Sequence, residues 1–254
     1  LRHPERGFFR ARDDNFFEVF MNIPISERLL LCAAMTPSGS RAADVGADHG
    51  YLGIYLLQRG IASYVAASDL REKPLEKARA NAERFGVADR MDFIRADGLS
   101  GIEPSSVDTI IMAGMGGDLI QLILDACPWV RNPRYLLILQ PQSAGQDLRR
   151  YLTQTGFRIE KETLARDGGF LYTVLTARAG SGPMLTPGEQ YATPQLLASR
   201  SPLVPAYLLR IEKALQDTVL GLQKAARPEP ERLDYYAQAL REITEMRGRY
   251  ADRR

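Results

Sequence analysis

Five short stretches of this chain gather residues able to grip a charged or flat ligand. Asp44-Val45-Gly46-Ala47-Asp48-His49-Gly50-Tyr51 combines two carboxylates, an imidazole and a phenol with Gly46, which permits a tight turn before a helix whose first amides face an anion. Asp69 lies 25 positions beyond Asp44; that spacing suits an acid accepting hydrogen bonds from a ribose diol, and equally a solvated acid at a strand end. Asp97 with Gly98 sets a carboxylate where the amino group of an adenine could donate to it, although Asp92 and Asp108 show that acids are common in such loops. Ala113-Gly114-Met115-Gly116-Gly117 holds three glycines in four residues, costly in conformational entropy and intelligible where backbone must approach a ligand closely. Leu139-Gln140-Pro141-Gln142 sets an amide beside a backbone fixed by proline, able to read a base edge or merely to close a loop.

Other chemistries lack their parts. The dinucleotide fingerprint GxGxxG is absent from the first turn, where DVGADHGYLG stands, and no GxxxxGK[ST] occurs, which disfavours hydride and phosphoryl transfer. The two histidines, His3 and His49, form no pair of metal-ligand spacing, so no metal is expected. Cys32 and Cys127 are too far apart for a CxxC motif and read as reduced thiols of a cytoplasmic protein.

The elements that must position these residues alternate. Strand-like runs at 42–45, 64–68, 91–94, 109–112 and 135–139 are separated by helical stretches, one opening at Pro74 and ending at Gly86, others at 118–126 and 146–155. A short helix from Glu27, with Ser26 as its N-cap, precedes them. This rhythm predicts an α/β fold with a parallel sheet covered on both faces. Two further runs, 157–164 and 170–177, flank a turn at Asp167-Gly168-Gly169 and predict a terminal antiparallel hairpin. Residues 179–203, rich in proline, glycine and serine, read as a linker. Beyond them Val204, Leu208, Ile211, Leu215, Thr218, Leu222 and Ala225 recur at 4, 3 spacing, and Leu233, Tyr236, Leu240 and Ile243 resume it after Pro228 and Pro230. That is a coiled-coil seam, folded into an antiparallel helical hairpin over 204–254. Residues 1–25 read as an N-terminal arm of unassigned role, its phenylalanines interrupted by charges and so unlike a signal peptide.

Together the motifs resemble the bacterial tRNA (adenine(22)-N1)-methyltransferase family, which are class I S-adenosylmethionine-dependent enzymes. ADVGADHGYL at 43–52, AGMGG at 113–117 and LQPQ at 139–142 carry the likeness, which runs from about Ser26 to Ala177. The resemblance implies a Rossmann-like methyltransferase domain over 26–178, S-adenosyl-L-methionine as cofactor and tRNA as partner. It implies that Asp44, Gly46 and Asp48 shape the methionine end of the pocket, that Asp69 holds the ribose, and that Asp97 and Gly98 hold the adenine. Ala113, Gly114, Met115 and Gly116 would wall the sulfonium. Asp48, His49 and Tyr51 are the expected catalytic residues, facing the substrate side, and Arg28, Gln140 and Pro141 the expected substrate-binding ones. Gly53 stands where the family usually has proline, and Lys73 where it usually has glycine.

With 254 residues, 45% hydrophobic and a net charge of +2, the chain is long enough for one or two domains, and no stretch is apolar enough to span a bilayer. A tRNA enzyme so close to neutral must bind through a local basic surface. The eight lysines and arginines from Arg210 to Arg249 make the hairpin a tRNA-gripping arm, though Glu212, Asp217 and Glu242 also suit a solvated coiled-coil face. Methylation of a small molecule or protein by the same fold, or a non-enzymatic tRNA-binding module, are the competing readings.

Overall fold

A computed structural model describes residues 23–225, 227 and 229–251; of the arm expected over 1–25, residues 1–22, with His3, lie outside the described residues, and Ile23 and Ile25 pack against the core. The order is α1 (Glu27–Met35), β1 (Ser40–Val45), α2 (Tyr51–Gln58), β2 (Ala62–Asp69), α3 (Glu72–Arg84), β3 (Met91–Arg95), β4 (Thr109–Met115), α4 (Gly117–Ala126), β5 (Leu136–Pro141), α5 (Gly145–Gln154), β6 (Phe157–Asp167) and β7 (Phe170–Ala179). Then follow α6 (Pro194–Ala198), α7 (Val204–Gln223) and α8 (Pro230–Ala251).

The seven strands form one sheet in the order β3-β2-β1-β4-β5-β7-β6. β1 to β5 pair in parallel, and β7 runs antiparallel to both β5 and β6. The mostly parallel sheet with a terminal antiparallel hairpin agrees with the sequence pattern. Gly168 and Gly169, at φ +54° and +83°, form the two-residue turn whose left-handed residues match strand twist.

Alternate strand residues feed two apolar layers. Ala43, Val45, Ile110, Met112, Leu137 and Leu139 pack on α4 and α5 through Ile120, Leu124, Leu148 and Leu152. Ala42, Val65, Ala67, Ile111 and Ile138 face α1 and α2 through Cys32, Leu52, Ile54 and Leu56. Both faces are covered, which is why these strands read as continuous apolar runs. Ser26 occupies the N-cap position of α1 without donating or accepting a capping bond.

A third layer binds the helical hairpin to the sheet. Leu164 of β6 packs with Ala192, Leu196, Val204, Leu208, Leu215, Ala239 and Ile243. The buried stripe of α7 also takes in Tyr207, Glu212 and Val219, wider than the seam the spacing predicts, because α7 packs against the 191–197 segment as well as α8. That segment is no loose connector. Arg149 of α5, buried, donates through Nε to Glu162 Oε1 at 3.0 Å and through Nη1 to the Gln190 carbonyl at 3.1 Å. Thr193 donates to Glu162 Oε2 at 2.6 Å and caps α6 by accepting from Leu196 N–H.

Candidate active site

All five parallel strands end on one edge, and the chain leaves β1 for β2 and β3 on one side and for β4 and β5 on the other. Between β1 and β4, at the edge, lies the crevice where such sheets bind ligands. Along the edge the structure brings Asp97 and Gly98, Asp69, the 44–51 turn, the 113–117 turn and Gln140-Pro141 into line, in the order of the strands that precede them.

Asp44, 4% exposed, accepts from Gly53 N–H at 3.3 Å. Burial pushes its carboxyl up to about 7, against the pull of that amide. Proline at position 53 would have no N–H to give, so this chain's glycine adds a donor. It also lets α2 sit close to the sheet, since a Cβ there would lie 2.9 Å from both Met91 Cε and Val65 Cγ1. Gly46 adopts φ +73°, and a Cβ on it would meet Met115 Cε at 3.0 Å, so the two glycine-bearing turns face each other across the crevice.

Asp48 is exposed and held at φ +47°, a conformation that costs a non-glycine residue energy and collects at functional sites. It does not cap α2, whose N-cap is Gly50 and which has no side-chain cap. Its Oδ2 sits 3.6 Å from His49 Nε2 instead. The His49 and Tyr51 rings stack at 5.7 Å with 10° between planes, and Asn81 Nδ2 donates to the His49 carbonyl at 2.9 Å, pinning the turn to α3.

Asp69 accepts from Arg71 N–H at 2.9 Å. Leu70 beside it is 62% exposed, an apolar surface next to the acid that motif reading passed over. Asp97 is exposed; Gly98 is required by packing, because a Cβ would stand 2.8 Å from Ile123 Cγ2.

At the β4 end, Gly114 takes φ +83° and donates its N–H to Gln140 Oε1 at 3.0 Å, which also accepts from Arg28 Nη1 at 2.9 Å. Gln140 Nε2 donates to the Pro141 carbonyl at 3.1 Å. Gln140 is 0% exposed and Pro141 is buried. This corrects the expectation that both touch substrate: the amide is consumed internally, tying β4, β5 and α1 together. Arg28 braces this hub to the β6–β7 tip through Asp167, Nε to Oδ2 3.3 Å. Leu139 lies opposite Leu175, so the tip extends roughly three residues, about 10 Å, past the end of β5. It carries Phe170, 64% exposed, an aromatic after a glycine pair whose position only the strand register reveals.

A family model described as methyltransferase domain matches residues 25–175. A Bacillus subtilis tRNA (adenine(22)-N(1))-methyltransferase is 33% identical over 158 residues, 62% of this chain and 66% of that protein. This chain belongs to the methyltransferase domain family. The chain spans about two thirds or less of the curated relatives it matches, 66% and 60% for the first two. Likeness to solved structures runs further. The crystal structure of the Bacillus subtilis m1A22 tRNA methyltransferase superposes with a TM-score of 0.79 at 26% identity, covering 89% of this chain and all of that one. A Streptococcus pneumoniae protein solved in complex with S-adenosyl-L-methionine gives 0.74 at 30% identity, over 88% of this chain and 99% of that one. The methyltransferase sheet and its hairpin are thus shared along nearly their whole length.

Proposed function

We propose that this protein uses S-adenosyl-L-methionine to methylate N1 of an adenine in tRNA, adenine 22 by likeness to its relatives. The observation that carries the reading is the crevice between β1 and β4, where two positive-φ glycines and a row of carboxylates occur in the sheet shared with the relatives. Its residues fit the cofactor: Gly46 leaves a cradle that a Cβ would fill, Asp44 is a buried carboxylate without a cation among the described residues, and Asp69 ends β2 with an exposed leucine beside it. Asp44, Gly46 and Asp48 would hold the methionine end, Asp69 the ribose, Asp97 and Gly98 the adenine, and Ala113, Gly114, Met115 and Gly116 the wall beside sulfur. When bound, the cofactor supplies an electrophilic methyl group on a sulfonium.

The rest falls to the chain. Adenine N1 has an in-plane lone pair, so no base must first remove a proton, and alignment and desolvation carry most of the acceleration. Asp48 offsets the positive charge that N1-alkylation leaves on the ring. His49 holds Asp48 and, stacked with Tyr51, offers a ring face to a displaced base; N1 lies on the pairing edge, so the base must leave its stack. Arg28 and Gln140 position the Gly114 turn. The catalytic unit is residues 26–178, and the 204–254 hairpin is a tRNA-gripping arm, with 179–203 joining the two. A cytoplasmic location follows from a tRNA substrate; among the described residues no helix is long and apolar enough to cross a membrane.

The test is incubation with methyl-labelled cofactor and unmodified tRNA, followed by nucleoside mass spectrometry and position mapping. N1-methyladenosine at position 22 is expected; cofactor binding without label in any tRNA would refute the reading.

A further inference from the structure

Away from the crevice, the start of α8 meets the start of α5 across a cleft of about 260 Å³. Its walls are Tyr191, Tyr235 and Tyr236, with Arg150 and Arg232 at its sides and Asp147 on its α5 wall. Nothing in the mechanism above uses it. We infer that this cleft is a nucleotide subsite for RNA, with a phosphodiester between Arg150 and Arg232 and a base against the Tyr236 ring. The inference rests on the tRNA reading and adds to it a second, specific point of contact.

Position is the first argument. α5 starts four residues after β5 ends, and a Cβ on its first residue, Gly145, would lie 3.7 Å from Pro141 Cγ. The cleft therefore opens beside the same sheet edge as the crevice, where one RNA can reach both.

Chemistry is the second. Tyr235 and Tyr236 meet edge to face at 5.2 Å, and the Arg232 guanidinium lies 5.8 Å from the Tyr236 ring centroid. Tyr235 hydroxyl donates to Gln190 Oε1 at 2.7 Å, and Gln190's own carbonyl accepts from Arg149, so the aromatic wall is anchored to the buried junction. Aromatic faces beside guanidinium groups are the usual equipment for unpaired nucleotides, the rings taking bases of any sequence and the cations the backbone.

Charge is the third. Arg150 Nη2 pairs with Asp147 Oδ1 at 2.6 Å and Arg232 Nη1 with Glu229 Oε2 at 3.2 Å. The first is a half-exposed pair within α5 and the second an exposed pair between Arg232 and Glu229 just ahead of α8, and water-accessible pairs of this kind hold their partners weakly. Each guanidinium has five N–H donors, so a phosphate can share or displace the carboxylate at small cost. Asp147 lies on the α5 wall, which directs the phosphate toward Arg232 and leaves the inner wall to the base.

The test uses the whole chain and a fluorescent single-stranded oligoribonucleotide of mixed sequence, with tRNA as a second ligand, in anisotropy titrations over a range of salt. Removing both charges by Arg150→Gln with Arg232→Gln should flatten the log Kd against log salt slope for the oligonucleotide by about 1.4, two contacts' worth on a single strand. Tyr236→Ala should weaken binding about fivefold or more, the lower end for one stacked base. Cofactor affinity, measured by calorimetry, is expected to stay at the wild-type level. Wild-type slope and affinity in these variants overturn the subsite while leaving tRNA methylation standing. Variant-sensitive oligonucleotide binding by a wild-type protein that methylates no tRNA keeps the subsite and removes the methylation reading. Ultraviolet crosslinking of the wild-type protein to RNA, read by peptide mass spectrometry, does not depend on variants folding: an adduct on Tyr235 or Tyr236 is expected, and adducts confined to other surfaces overturn the proposal.

Discussion

Two of the buried carboxylates in this molecule, Glu162 and Asp44, are provided for in opposite ways. Glu162, at the junction between the sheet and the hairpin, meets the Arg149 guanidinium through two nitrogens and also accepts from Thr193. Burial acts to lower the Arg149 pKa, and the Glu162 charge with Tyr207 more than reverses this, so the cation is held firmly. Asp44, at the crevice, has one backbone amide at 3.3 Å and no salt bridge among the described residues. Burial raises its pKa to about 7, and the single amide only partly opposes this. A buried pair that satisfies itself fixes how parts dock; a buried acid left short of partners stores a preference for a cationic ligand. The same physical quantity, desolvation, thus separates scaffold from site.

Breaking the pair should give the largest effect. Arg149→Met alone is expected to destabilise the fold by about 3–5 kcal/mol in urea titrations, because it strands a buried charge, while Arg149→Met with Glu162→Leu should recover most of the loss. Equal losses in the single and double variants would mean that the junction depends on packing and not on charge.

Asp44→Asn probes the other side. The folded pKa of about 7 exceeds the ordinary 3.8, so the folded state keeps its proton over a range where the unfolded chain has lost it. Wild-type stability should therefore fall as pH rises from about 4 to about 7, by on the order of 4 kcal/mol, and Asp44→Asn should remove that fall and be the more stable protein at pH 8. Cofactor affinity should run the other way, rising in the wild type as pH climbs through 7 and lying weak and flat in the variant. Calorimetry across this range checks both signs.

Smaller effects sharpen the crevice itself. Asp48→Ala, measured at saturating cofactor, should lower turnover about 10²-fold, close to 2.7 kcal/mol, the scale for losing one group that meets developing charge. Wild-type turnover would remove Asp48 from the mechanism. Gly114→Ala should cost about 1–2 kcal/mol in thermal unfolding, since its φ of +83° and the Arg28 Nη1 atom 3.1 Å away both resist a Cβ. Gly60→Ala, at φ +64° with nothing near, should lose the backbone part only.

Much of the fold was legible because local chemistry and global architecture agree. The apolar runs at 42–45 and 109–112 sit inside β1 and β4, and Gly168-Gly169 turns the hairpin as its residue types require. The glycines at 46 and 114 mark left-handed backbone at the crevice itself. Other readings failed for a shared reason. Gln140 looked like a base reader because an amide beside a proline at a strand end is ambiguous, and only the distant partners Arg28 and Gly114 show that its oxygen is already occupied. Residues 179–203 looked like a linker because proline and glycine dominate local propensity, whereas Arg149, about 40 positions away in sequence, pins Gln190 into the interior.

What the sequence determined by itself was everything carried by spacing along the chain: strand and helix alternation, the hairpin, the glycine turns, and the family its motifs announce. Tertiary structure alone decided which polar groups are spent inside the molecule and which remain for a ligand. Glu162 and Asp44 are both acids within strands; one meets a guanidinium 13 residues away and the other, among the described residues, meets none. Hydrogen-bond capacity is short-ranged and saturable, so an acid's role is set by whichever donors the fold brings within 3 Å or so, and periodicity holds no record of that.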